Sequence, residues 1–66
     1  MPNTNSELTA IQKRQLMTLL KLRNMLIING VEQSKLKPLL NEIVALKGEM
    51  DADDVAYCEK TVEQIL

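Results

Sequence analysis

The chain contains no histidine, phenylalanine or tryptophan, and only one tyrosine, one cysteine, two glycines and two prolines. Each scarcity removes a class of function. Without histidine, no Ser–His or Cys–His pair can activate a nucleophile, and the common zinc sites lose one of their two ligand types. A lone cysteine, Cys58, allows no internal disulfide, which makes a reducing cytoplasm the expected location. With Tyr57 as the sole aromatic residue, any core must be built from Leu, Ile, Val and Met. No unbroken apolar run is longer than the four residues of Met25-Leu26-Ile27-Ile28, far short of the roughly 20 that span a bilayer. No basic segment leading into a long apolar stretch opens the chain, so neither a signal peptide nor a membrane span is expected.

What remains is a chain of 66 residues, enough for one domain near the lower limit at which a single core offsets the entropy of ordering the backbone. The net charge of −1 conceals an asymmetry. Before residue 41, Lys13, Arg14, Lys21, Arg23, Lys35 and Lys37 face only Glu7 and Glu32; after it, seven acids face Lys47 and Lys60. The front is basic and the back acidic, a distribution that can steer a partner or let two halves pack with complementary surfaces.

Gly30 and Gly48 each follow an apolar-periodic run and precede a capping side chain, a layout that predicts an all-α domain of three helices over about 6–29, 35–47 and 52–66, after a disordered tail over 1–5. The first begins at Ser6, or at Thr9, where Gln12 completes a capping box. Along it Leu8, Ile11, Leu16, Leu19, Leu22, Leu26 and Ile27 fall on one broad face, opposite Lys13, Arg14, Lys21 and Asn24. Gly30 suits the left-handed position after the helix, with Val31 making the flanking apolar contact. Ser34 is the predicted cap of the second helix, which carries Pro38 early and repeats Leu36, Leu39, Ile43, Leu46 and Met50 until Gly48 ends it. Asp51 caps the third, with Asp53 and Asp54 in its first turn and Val55, Cys58, Val62 and Ile65 as its stripe.

The first helix, about 35 Å long at 1.5 Å per residue, outreaches the other two at about 20–23 Å each. Its apolar arc is also wider than they can cover, and uncovered apolar surface of this kind marks an interface. The expected interface comprises Leu16, Met17, Leu19, Leu22, Met25 and Leu26, and the expected partners are a second copy, giving a dimeric helical bundle, and an unidentified protein. No catalytic group, metal, cofactor or small-molecule substrate is expected. Asp51-Ala-Asp53-Asp54 fails as a calcium loop because Ala56 and Val62 stand where Gly and Glu are required. Ser6 and Ser34 are in capping positions, and Cys58 lies in an apolar seam.

Residues 22–39 resemble the helix-turn-helix of DNA-binding proteins, with Gly30 at the turn and Leu36 and Leu39 at the inward positions of a recognition helix. That resemblance implies DNA contacts from Gln33, Lys35 and Lys37. It departs from the motif at Leu26, where a small residue is wanted, and at Pro38, inside the recognition helix. In length, helical hairpins and lack of catalytic residues the chain is also similar to small dimeric helical adaptors, namely plasmid copy-number regulators that bind RNA and type III secretion chaperones. An RNA-binding surface would lie on the basic face, Lys13, Arg14 and Lys21.

Overall fold

The computed structural model describes residues 4–65, with side chains described from 7 to 64. The described chain consists of three helices, α1 (Thr4–Ile28), α2 (Gln33–Glu49) and α3 (Ala52–Ile65), joined by short turns. Thr4 and Asn5, expected in the tail, already belong to α1, and Thr9 is interior to it, so neither Ser6 nor Thr9 starts the helix. Met1–Asn3 and Leu66 lie outside the described residues, as does the side chain of Ile65.

The turn after α1 follows from glycine chemistry. Gly30 has φ 78°, a conformation that costs an L side chain about 1–2 kcal/mol. Its N–H donates to the carbonyl of Ile27, and the N–H of Val31 reaches back to the carbonyl of Leu26, both at 3.0 Å. These two bonds are those of a Schellman cap, which satisfies carbonyls left over at a helix end. The chain then has one residue in which to straighten. Glu32 adopts φ −61° and ψ 143°, its carbonyl accepts from the Lys35 N–H, and α2 begins at Gln33. Ser34 is therefore inside the first turn and does not cap the helix; the N-cap position falls on Glu32, two residues before the best capping side chain, with no side-chain cap bond. Pro38 falls in the second turn on exposed surface, and the carbonyl it leaves without a donor belongs to exposed Ser34.

Gly48 does not end α2. The helix runs through it to Glu49 and stops where Met50 turns extended, at φ −108° and ψ 155°, its N–H donating to the Lys47 carbonyl at 3.2 Å. The Met50 side chain packs on the core. One residue later the Asp51 carbonyl accepts from the Val55 N–H at 3.0 Å, opening α3 at the expected place.

Both shorter helices pack along α1. The end of α2 and the start of α3 lie beside Leu8 and Thr9, whereas Glu59, Val62 and Glu63 lie beside Leu20, Arg23 and Asn24. Thus α2 returns antiparallel to α1 and α3 runs parallel to it. The main core cluster is Leu16 and Leu20 from α1, Ile43 from α2, and Cys58 and Val62 from α3, all at most 2% exposed, with Met17, Leu19, Leu39, Leu46, Met50 and Val55 around it; Leu36 of α2 is buried as well. Lys47 Nζ and Glu59 Oε2, 2.8 Å apart, tie α2 to α3 across the half-exposed edge of this core.

The molecule is long for its mass. Its radius of gyration is 12.9 Å, against about 10.8 Å for a compact chain of this length. Its accessible surface is 5088 Å², roughly 800 Å² above the ~4,250 Å² that a monomer of 7.5 kDa presents. The two glycines provide a paired test. Gly30→Ala should lower stability to urea unfolding by about 1–2 kcal/mol through the left-handed strain. Gly48→Ala, in a helix with open space at its Cβ, should raise it by about 0.5–1 kcal/mol.

Candidate functional site

The predicted single face of α1 is two faces. Leu16 and Leu20, one turn apart, point into the core, whereas Leu8, Ile11, Leu22 and Met25 are exposed. With Gln15 and Thr18 these four form a stripe at spacings of 3, 4, 3, 4 and 3, and no member of it is charged. At about 100° per residue the stripe lies roughly 150° round the helix from the Leu16–Leu20 line. Its four apolar members each keep 43–53% of their surface exposed. Beside its middle, an open groove of about 460 Å³ separates α1 from α2, lined by Arg14, Gln15, Thr18, Leu19, Glu42 and Leu46.

The six residues expected at the interface are divided between these two faces. Leu16 is fully buried inside the chain and has no surface to offer a partner. Met17 and Leu19 are half-buried against the core, and Leu26 is half-buried at the helix end. Leu22 and Met25, 43% and 53% exposed, belong to the outward stripe. Leu8 and Ile11, expected on the broad apolar face but not among the interface residues, belong there too, and Leu20, absent from that expectation, is in the core. The heptad spacing of 8, 11, 15, 18, 22 and 25 was the available signal, hidden because Gln15 and Thr18 interrupt its apolar character.

The basic residues are dispersed. Lys13 turns toward α3, its ammonium 5.4 Å from the centroid of the Tyr57 ring, a cation–π contact. Arg14 and Lys21 are exposed on the flank of the stripe nearer α3. Gln33, Lys35 and Lys37 are exposed on the opening turns of α2, at the other end of the hairpin from Lys13 and Arg14.

Cys58 is wholly buried, and its Sγ donates to the Lys13 carbonyl at 3.5 Å. Desolvation pushes its pKa up, against a smaller opposing pull from Lys13. The thiol therefore holds its proton at neutral pH, the reverse of what a nucleophilic cysteine requires. Among the described residues no group of three His, Cys, Asp or Glu side chains is placed to hold a metal ion, and no helix is long and apolar enough to cross a membrane. Comparison with models of known families, with curated proteins and with solved structures gives no match.

The buried thiol carries a pH dependence with a definite sign. Because its folded pKa is raised, the stabilisation is complete below the unfolded pKa, about 8.5, and is lost as pH rises through that value and on through the folded one. Unfolding free energy should fall over this alkaline range, and Cys58→Ala should remove that part of the fall. At pH 8, iodoacetamide should alkylate the folded chain on the order of a hundredfold more slowly than the chain in urea.

Proposed function

We propose that this protein is a non-enzymatic interaction module, a small adaptor, inhibitor, chaperone-like or regulatory protein that works by laying the outer face of α1 on another protein. The observation that carries the reading is the uncharged stripe Leu8, Ile11, Gln15, Thr18, Leu22 and Met25, left uncovered on a molecule with more surface than its mass calls for. Isolated exposed leucines are ordinary on any protein; a run at heptad spacing along five turns of one helix is the pattern by which helices recognise helices. The partner is protein, a second copy of the chain among the candidates, and neither a membrane nor a small-molecule substrate is part of the reading. A reducing cytoplasm suits a chain whose one thiol is free and buried.

The alternatives, a helix-turn-helix on residues 22–39 or a dimeric RNA-binding regulator, have less behind them. In this fold α2 folds back along α1 until Met50 lies beside Leu8, whereas the helix-turn-helix sets its two helices at a wide angle. Gln33, Lys35 and Lys37 are also distant from Lys13 and Arg14, so the cations do not gather into one basic stripe of the kind that tracks a phosphate backbone.

A photo-crosslinking side chain at position 22 tests the reading. Adducts there should be to protein and should disappear when Ile11→Asp charges the same stripe, while the same group at exposed Lys60 should give none. Adducts to nucleic acid, or duplex DNA binding that falls steeply with salt and is abolished by Lys35→Ala with Lys37→Ala, would overturn it.

A further inference from the structure

Of the five asparagines in the chain, Asn29 alone is followed by glycine. An asparagine side chain holds its amide carbon within reach of the next residue's main-chain nitrogen, and attack there closes a five-membered ring. Glycine is the neighbour that hinders this least, because no Cβ crowds the nitrogen. Asn29 is exposed to water, and nothing stands within 4 Å of the place that a Cβ on Gly30 would occupy.

The same nitrogen holds the end of α1 together. The Gly30 N–H donates to the Ile27 carbonyl, the Asn29 N–H to that of Met25 and the Val31 N–H to that of Leu26, each at 3.0 Å. While this cap is closed, the nitrogen is occupied. Helix ends are among the segments that open locally at least cost, and opening this one frees the nitrogen to attack. The product is then poorly matched to its surroundings. A carboxylate at position 29 stands at the negative end of the α1 dipole, in a helix whose last turn carries no basic residue, with Glu32 three residues further on.

We propose that Asn29 is a modification site, at which the Gly30 main-chain nitrogen expels ammonia from the side-chain amide and leaves aspartate or isoaspartate in the turn between α1 and α2. The bond from this nitrogen to Cγ forms as the bond from Cγ to Nδ2 breaks, and the proton of the Gly30 nitrogen leaves with the ammonia. One water then opens the succinimide at either of its carbonyls. Water is the only co-reactant, and nothing is oxidised or reduced. Opening at the main-chain carbonyl gives isoaspartate, which routes the backbone through the side chain and adds one carbon between the Cα of residue 29 and the Gly30 nitrogen. The bonds to Ile27 and Leu26 are spaced for an ordinary backbone, so the longer one does not close the cap. That turn determines where α2 enters, because Val31 is half-buried and Leu36, in the first turn of α2, is buried. Conversion at position 29 therefore loosens α2 from α1, an irreversible change set by time and pH. It does so whether or not the stripe of α1 binds a protein.

Timed incubation of the full chain at pH 8 tests this, read by peptide mass spectrometry for the exchange of amide for acid and by isoaspartyl methyltransferase labelling. Asn29 should convert ahead of the other four asparagines and give both products. Two cap hydrogen bonds must open first, so the folded chain should convert on the order of ten- to a hundredfold more slowly than the chain in urea. In urea, Gly30→Ala should slow the conversion, since a methyl group then crowds the nitrogen. The aged chain should unfold at lower urea than the fresh one, with Asn29→Asp, which carries the charge on an unaltered backbone, between the two. Asn29→Gln should keep its own midpoint through the same incubation. Conversion first at another asparagine, or none at Asn29 in the folded chain, would overturn the site. Equal rates in buffer and in urea would overturn the cap as its gate, and an aged chain that unfolds like the fresh one would overturn the effect on α2.

Discussion

The fold depends on one constraint: among the described side chains of α1 two leucines, Leu16 and Leu20, one turn apart, are the only ones fully buried, and both other helices are held against them. Ile43 reaches them from α2, and Cys58 and Val62 from α3. Among the described residues only these five and Leu36 are buried, each contributing about 1.5–3 kcal/mol when removed from water. The Cys58 thiol belongs in this account as a small apolar group whose proton is given to the Lys13 carbonyl.

Because that contact is short and α1 is long, most of α1 is left to other uses. The helix has 25 residues, and its inward line occupies the middle two turns. The outward stripe extends from Leu8 to Met25 and repeats every 3.5 residues on average, the rhythm of helices that pair along a seam. A chain this small has two ways to gain stability, a denser core or a partner, and the large surface relative to mass fits the second. On the proposed reading, self-association and function are the same surface property: burying the stripe completes a core that the monomer only begins.

How much of this was legible in the sequence depends on how local the physics is. The turn at Gly30 and Val31 was legible, because a left-handed residue followed by an apolar one is determined by neighbouring atoms. So were the stripe of α3, with Cys58 and Val62 inside, and the opening of α3 after Asp51. The start of α2 was misread because capping preference favours Ser34, whereas the Schellman turn had already aimed the chain and left Glu32 to begin the helix. The inward line of α1 was misread because its apolar residues occupy opposite sides, and a sum around the helix cannot tell which side a neighbour will cover. For the candidate site, Leu22 and Met25 were found from surplus apolar arc alone. Leu8 and Ile11 were not, since choosing them requires knowing that Leu20 is inside.

The central claim is that the outer stripe of α1 is an interaction surface, and for a second copy as its occupant hydroxyl-radical footprinting of the unmodified chain over a dilution series is the most direct test. Met25 and Leu22 should be protected at high concentration and become reactive on dilution, while Tyr57, exposed on α3 away from the stripe, should react equally throughout. If Met25 and Leu22 react at a constant, unprotected rate at every concentration, no second copy covers the stripe; if adding a protein that crosslinks at position 22 also leaves them unprotected, the account is wrong.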